Sequence, residues 1–371
     1  MSDSSGAPLK RTPLYQTHVD AGARMVPFGG WEMPVQYTGV IDEHRAVREA
    51  VGLFDVSHMG EVELRGPRAL EVANRIITND LNRAVNGQAL YTAMCKPDGG
   101  IVDDLVVYRF ASDHIFICVN AANRDKDFTW IAEHVAGDCS VTNKSDEYAQ
   151  IAVQGPKAAA LVQRLTPLDL SPIGTYRFAT GKVSGFEAII SRTGYTGEDG
   201  FELYVESRDA IALWRALMEK GADLGVKPAG LGARDSLRLE MKYALYGNDI
   251  DETTHPLEAG LGWVVKLDKA DFIGKAALVA KKEQGLKRKL VGLEMVGRGV
   301  ARHGYPLLSK GQRVGEVTSG TMGPSVGRAV AMGYVPAALS EIGTALDVEI
   351  REKPVAAVVV KTPFYQRPGA K

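Results

Sequence analysis

The sequence is poor in cysteine: Cys95, Cys118 and Cys139 are the only three among 371 residues. Their number is odd and none forms a CxxC, which argues against a disulfide framework. His114 lies near Cys118 and His134 near Cys139, but neither pair has the spacing of a zinc motif. Long apolar runs are also missing. The longest, Val355 to Val360, is of strand length, far short of the ~18 residues of a membrane-spanning helix. The polar, Ser/Gly-rich stretch Met1 to Thr12 has no apolar core of a secretory signal. No charge sign predominates, since 44 Lys+Arg face 45 Asp+Glu. Such a balance gives no general attraction to nucleic acid or to an anionic membrane. These absences predict a reduced, cytoplasmic protein that engages neither nucleic acid nor membrane. Familiar catalytic signatures are lacking too. There is no GxGxxG after a strand, no GxxxxGK[ST], no HExxH and no GxSxG elbow.

What is plentiful is glycine, 40 residues or about 11%, against about 7% in an average chain. That surplus points to tight turns and close backbone approaches. Hydrophobic residues at 45% and charged residues at 24% are ordinary for a globular chain, and the length suggests two or three domains. Turn signals surround Phe28-Gly29-Gly30. Helical spacing predicts helices at Asp42–Ala50 and at Arg68–Ile77, where Leu70, Ala73 and Ile77 repeat. Ile101 to Tyr108 and Ile115 to Val119 are β-rich runs separated by a Ser112-Asp113 turn. Further strands are expected at Tyr148–Gln154, Ala188–Ser191 and Phe201–Val205, with helices at Lys157–Arg164, Arg208–Lys220 and Gly232–Lys242. Irregular interleaving of this kind points to α+β rather than a doubly wound sheet. A lysine-rich segment, Lys266 to Lys289, marks a boundary. Beyond it, runs at Leu290–Met295, Gly315–Thr318, Ala331–Val335, Ala345–Ile350 and Ala356–Val360 predict an all-β C-terminal domain.

Four segments could carry chemistry. Asp103-Asp104 lies inside an apolar strand, where successive side chains point to opposite faces. Either one Asp is exposed and the other caps a loop, or one is a carboxylate positioned in a pocket. Gly194 to Glu202 holds three glycines and several polar groups. It is either a hairpin connection or a loop that wraps a small ligand, with Glu202 facing inward. On the helix Gly232–Lys242, Arg234 and Arg238 share one side. They form a solvated face, or a fork for a carboxylate or planar heterocycle. His58, in Asp55-Val56-Ser57-His58-Met59-Gly60, reads as a loop or cap residue.

Taken together the motifs resemble one family. Thr12-Pro13-Leu14-Tyr15, Phe28-Gly29-Gly30-Trp31-Glu32-Met33-Pro34, Leu53-Phe54-Asp55-Val56-Ser57-His58-Met59-Gly60, Gly99-Gly100-Ile101-Val102-Asp103-Asp104-Leu105, Gly194–Glu202, Ala233-Arg234-Asp235-Ser236-Leu237-Arg238-Leu239-Glu240, Tyr246-Gly247-Asn248-Asp249-Ile250-Asp251 and Ala331-Met332-Gly333-Tyr334-Val335 resemble the aminomethyltransferase, or T-protein, family of the glycine cleavage system. They occur in order from about Leu9 to Arg367. The resemblance implies a three-lobed α+β folate-binding fold. Residues 1–285 would form two lobes, the second including about 52–140, and residues 286–371 a β-barrel. It also implies transfer of an aminomethyl group from the lipoyl arm of H-protein to tetrahydrofolate. The products are 5,10-methylenetetrahydrofolate, ammonia and dihydrolipoyl H-protein. Asp104 matches the family's catalytic carboxylate, and Asp103 does not. Tyr91, Val106 and Tyr108 match pterin-pocket positions. Tyr195, Glu202 and Arg234 match folate contacts, Met59 and Asn120 line the same hole, and Arg367 is a further candidate.

These residue types suit that chemistry. Tyr and Val can sandwich a flat pterin. Glu202 can accept from its amino-pyrimidine edge, and Arg234 can donate to a ring carbonyl or an acid. Asp104 can orient a folate N–H and stabilise a cationic, iminium-like carbon. The scheme calls for no metal, flavin or pyridoxal phosphate. The Lys266–Lys289 stretch is either a patch for an acidic lipoyl carrier or a solvated surface. Other folate enzymes of this fold are rivals. The flavin-dependent dehydrogenases need a flavin domain for which this chain has no room. An iron–sulfur accessory protein needs a reactive Cys toward its C-terminal half, whereas the last here is Cys139.

Overall fold

The structure, a computed structural model, describes residues 8–367. Its contacts divide the chain into two compact units. The first holds the residues up to 74, 81–91 and 105–235; the second holds 75–80, 92–104 and those from 236 onward.

In the first unit, α1 (Tyr15–Asp20) precedes a hairpin of β1 (Arg24–Phe28) and β2 (Trp31–Gln36). The hairpin turns at Gly29-Gly30, both at positive φ, as the turn signals predicted. Then follow α2 (Val40–Glu49), β3 (Val51–Asp55), β4 (Gly60–Arg65), α3 (Ala69–Ile76), β5 (Gln88–Cys95), β6 (Ile101–Ala111) and β7 (His114–Val119), of which residues 75–76 of α3, 92–95 of β5 and 101–104 of β6 count with the second unit. After α4 (Arg124–Glu133) come β8 (Ser140–Asn143), β9 (Tyr148–Gln154), α5 (Ala158–Gln163), β10 (Phe178–Val183), β11 (Phe186–Ser191) and β12 (Gly200–Glu206). The remaining elements are α6 (Ala210–Lys220), β13 (Val226–Pro228) and α7 (Leu231–Glu240). One six-stranded sheet has the order β10-β11-β12-β9-β3-β13, and a five-stranded sheet the order β5-β6-β7-β4-β8.

Strand alternation explains how the six-stranded sheet is used. On β12, Phe201, Leu203 and Val205 join one core with Ile151 and Val153 of β9, Leu161 of α5, and Leu213 and Leu217 of α6. Period two then sends Glu202 and Tyr204 to the other face. That face meets Tyr108, Phe116 and Cys118 of the five-stranded sheet in a second, aromatic core. A helix-covered side and a sheet-covered side leave both faces dry, so a polar residue on the second face must find its partners inside.

The second unit contains α8 (Lys275–Gln284) and a closed barrel. Its strands are β14 (Arg288–Met295), β15 (Pro306–Ser309), β16 (Gln312–Gly323), β17 (Arg328–Pro336), β18 (Ala345–Ile350) and β19 (Lys353–Val360). Pairing of β14 with β19 closes it. Alternating Val291, Leu293 and Met295 fill the interior with Leu307, Val317, Ala331, Val348 and Val359. The expected all-β C-terminal domain is this barrel. In β16 the register slips between Val317 and Ser319. The extra residue of such a bulge breaks the alternation of faces. Adjacent hydroxyls of Thr318 and Ser319 thereby both reach a buried ion pair, Thr318 bonding Asp249 at 2.5 Å and Ser319 receiving Arg238 at 2.8 Å.

Candidate active site

The centre of the first unit is the Glu202 carboxyl. It lies on β12 opposite Ala152 of β9 and Ser191 of β11. Its Oε1 accepts from Gln150 Nε2 at 3.0 Å and its Oε2 from Thr193 Oγ1 at 2.6 Å. Gln150 also donates to the Tyr204 hydroxyl at 3.1 Å, which is 2.9 Å from the Tyr108 hydroxyl. Cys118 Sγ reaches Gln150 Oε1 at 3.7 Å. Every direct donor to Glu202 in this network is neutral. Burial raises the Glu202 pKa, opposed by the Thr193 bond, the Arg234 charge and the Gln150 bond. The inward direction expected for Glu202 is the one found.

Arg234 supplies the positive charge. It sits in the first turns of α7 with its guanidinium 4.7 Å from the Tyr195 ring centroid, a cation–π geometry. Its charge is felt by Glu202, Cys118 and His58. The helix start is fixed by Glu43, which accepts from Gly230 N at 2.9 Å. Gly232 is required where α7 crosses α2, because a Cβ there would lie 2.6 Å from Val40 Cγ2.

Residues 192–199 connect β11 to β12, as a hairpin connection would, and this loop is held at several points. Arg48 of α2 donates to Thr196 O at 2.7 Å and to Glu198 Oε1 at 2.8 Å. Gln154 of β9 donates to Thr193 O and accepts from Thr196 Oγ1. A Cβ on Gly194 would fall 2.0 Å from Gln154 Oε1, so a side chain there would displace the amide that holds the loop. These contacts fix Tyr195 beside Arg234.

The other expected residues are placed as follows. Val106 and Met59 are half-buried against the aromatic core, and Met59 also packs on the cluster of Trp31, Met33 and Ala121. Tyr108 is fully buried within it. Asn120, half-buried, immediately precedes the short helical turn Ala121–Asn123, and Tyr91 is half-buried on β5. Arg367 is half-buried and belongs to the second unit. Asp104 stands two residues before Val106 on β6 and so shares its side of the strand. The expectation that one of Asp103 and Asp104 is exposed does not hold: they are 0% and 8% exposed. Residues 101–105 are buried throughout, so β6 is covered on both faces there.

One other expectation is corrected. Arg238 is not part of a solvated face. It is 1% exposed and donates to Asp249 Oδ2 at 2.6 Å within the second unit. His58 lies in the turn between β3 and β4, as a loop reading implies. It is buried, with no hydrogen-bond partner for its Nδ1 among the described residues, and burial, aided by the charges of Arg234 and Arg124, outweighs the Asp55 charge and pushes its pKa down to about 4. Gln150, Gln154, Thr193 and Arg48 were not anticipated, and no local pattern marks them.

Comparison with known proteins bears directly on this arrangement. The GCVT N-terminal domain matches residues 14–269, and the glycine cleavage T-protein C-terminal barrel domain matches residues 288–366. An aminomethyltransferase of Halothermothrix orenii is 52% identical over 356 residues, covering 96% of this chain and 100% of that protein. One of Bacillus subtilis is 50% identical over 361 residues, covering 97% and 100%. The crystal structure of glycine cleavage system aminomethyltransferase T from Bartonella henselae is 37% identical. It superposes with a TM-score of 0.91 over 97% of this chain and 99% of that one. With both domains matched in order and relatives aligned along nearly their whole length, the chain belongs to the glycine cleavage T-protein family.

Proposed function

We propose that this chain transfers an aminomethyl group from a lipoyl arm to tetrahydrofolate, with Asp104 as the catalytic carboxylate. The family makes it a tetrahydrofolate-dependent aminomethyltransferase of the glycine cleavage system. The observation that carries the folate reading is the Glu202 centre. A buried carboxyl held only by neutral donors, next to an arginine stacked on a tyrosine, suits the edge of a pterin. The amino-pyrimidine N–H groups are donors that such an acceptor lacks, and Arg234 supplies a cation for a ring carbonyl or acid. Tyr91, Tyr195, Val106 and Met59 offer apolar surface to the flat rings. Tyr108 and Asn120 complete the pocket, the former by holding Tyr204 and so the Gln150–Glu202 chain. Arg367 is assigned to the acidic tail of the folate.

The donor is the lipoylated H-protein, whose arm carries –S–CH2–NH2. The C–N bond to ammonia and the C–S bond to the arm both break, and the carbon bonds to N5 and N10 of the folate. The two protons lost from the folate nitrogens equal those gained by the leaving ammonia and thiol. Asp104 orients a folate N–H and stabilises the positive carbon between these steps.

The test is turnover with purified aminomethyl-loaded H-protein and tetrahydrofolate, following methylenetetrahydrofolate and ammonia. Product must depend on the carrier. Asp104→Asn keeps the shape and removes the charge, so folate binding persists while turnover falls at least ~100-fold. Near wild-type turnover in that variant removes Asp104 from its role.

A further inference from the structure

The turn after β3 belongs to a sequence motif that the folate chemistry uses only through Met59, yet its other residues are joined to the Glu202 centre. β3 pairs with β9 from Gly52 opposite Gln154 to Asp55 opposite Ile151, and there the ladder ends. The neighbouring residue of β9 is Gln150, whose amide holds Glu202 and the Tyr204 hydroxyl. A residue just past the end of a ladder has an N–H and a C=O left over on that side, and in a dry interior both need partners. Val56 N donates to Gln150 O at 3.0 Å. The Ser57 hydroxyl supplies the rest, donating to Gln150 O at 3.3 Å and accepting from Gln150 N at 3.1 Å. One side chain thereby stands in for a strand partner at the residue that presents the amide. Ser57 is held in turn. Asp55 Oδ1 accepts from Ser57 N at 3.0 Å. Asp55 Oδ2 accepts from Thr12 Oγ1 at 2.6 Å and lies 2.9 Å from Nε2 of His18, on α1. The Tyr37 hydroxyl is 2.9 Å from the other ring nitrogen of His18. Thr12, His18, Asp55 and Ser57 are all buried.

We propose that Ser57, set by the Asp55–His18 pair, is a positioning residue for the ligand acceptor. It fixes the backbone of Gln150, and so the direction in which the Glu202 carboxyl meets the amino-pyrimidine edge of the folate. This rests on the reading of Glu202 as a folate contact. Two features favour positioning over a purely scaffolding part. Glu202 is held by two neutral donors, so displacing one of them shifts an acceptor with little else to hold it. The glutamine side chain that provides one donor is long and rotatable. Its Nε2 stays between Glu202 and Tyr204 only while the backbone beneath it is fixed, as a binding group needs support from the residues behind it.

The test is a double-mutant cycle on the tetrahydrofolate Kd, measured by titration calorimetry with the full chain. Ser57→Ala should raise the Kd ~5-fold, the scale of one neutral hydrogen bond. In a Glu202→Gln background the same substitution should change the Kd by less than ~2-fold, because the charge that Ser57 helps to aim is gone. A merely structural role would cost the same factor in both backgrounds, as independent sites do. Where Ser57→Ala does not fold, Ser57→Cys takes its place in the cycle, being close in size and carrying a thiol too weak to hold the Gln150 backbone. An equal rise in both backgrounds, or a wild-type Kd in the Ser57 variant, overturns the positioning role alone. A wild-type Kd in Glu202→Gln itself overturns the reading of Glu202 as a folate contact, and the positioning role with it.

Discussion

Each unit buries a carboxyl near an arginine, and the two are satisfied differently. In the second unit Asp249 accepts from Arg238, from Leu245 N and from Thr318, all between 2.5 and 2.9 Å. Both its oxygens are filled from within, one of them by a charged donor. In the first unit Glu202 takes one neutral donor on each oxygen, and Arg234 acts on it by charge while its guanidinium stacks on Tyr195. A carboxylate whose charge is fully answered is part of the scaffold. One answered only by amide and hydroxyl has capacity left for a ligand, and burial sharpens that capacity because unmet charge is costly in a dry interior.

Substitution should separate the two most strongly in stability. Asp249→Asn leaves the buried Arg238 guanidinium without its counter-charge, and loss of about 3 kcal/mol is expected from urea unfolding, as for other broken buried pairs. Recovery of part of that loss in an Arg238→Met, Asp249→Leu double variant would identify the charge, rather than the shape, as the cause. Glu202→Gln removes a charge the fold does not fully answer, so stability should stay within about 1 kcal/mol. Its tetrahydrofolate Kd should instead rise ~30-fold, the equivalent of about 2 kcal/mol for charge-assisted bonds. A Glu202→Gln protein that unfolds like Asp249→Asn would collapse the distinction.

How much of this could be read from the sequence follows from how local each signal is. Tyr148–Gln154 and Ala345–Ile350 are strands as read, because alternation and β-branched residues act within a few positions. β13, of three residues, and β8 and β15, of four, are too short to show a period, and β1 to β5 and β10, of five to eight residues, were not read as strands either. Asp103-Asp104 could be seen to need partners, but alternation alone could not tell that β6 is covered on both sides. Arg234 and Arg238 look alike on a helix wheel. What separates them is that Asp249, Thr318 and Ser319, the partners of Arg238, lie well beyond the helix in the chain. The folate assignment came from a set of motifs in order, whereas the Gln150–Glu202–Thr193 chain becomes visible only when three strands are side by side.

A third buried carboxyl, Asp55, extends the comparison to pH. Burial alone raises its pKa. The hydrogen bond and charge of His18, with bonds from Ser57 and Thr12, outweigh burial and hold it at about 2. A depressed folded pKa gives stability that is present above the unfolded value near 4 and lost as pH falls toward 2. About 2 kcal/mol should disappear over that range, and Asp55→Asn should lack this acid-dependent component in the same titration.

Glu61 has the opposite sign and the smallest expected effect. It is buried on β4 opposite Cys118, and among the described residues neither carboxyl oxygen has a hydrogen-bond partner. Burial raises its pKa well above the usual value despite the nearby Arg124 charge, with Asp146 adding to the rise. The folded state therefore holds its proton more tightly than the unfolded chain. Stability is highest at or below the unfolded value near 4.5, and it falls as pH rises toward the folded value. Glu61→Gln keeps the shape of the protonated acid and cannot ionise. Near pH 4 the two proteins should unfold at closely similar urea concentrations. At pH 8 the variant should be the more stable by at least about 1 kcal/mol, because a tenfold change in proton affinity already amounts to about 1.4 kcal/mol. If it is instead less stable at pH 8 than at pH 4 relative to wild type, the carboxylate is ionised and answered in the fold. Glu61 would then belong with Asp249 rather than with the under-satisfied acids of the first unit.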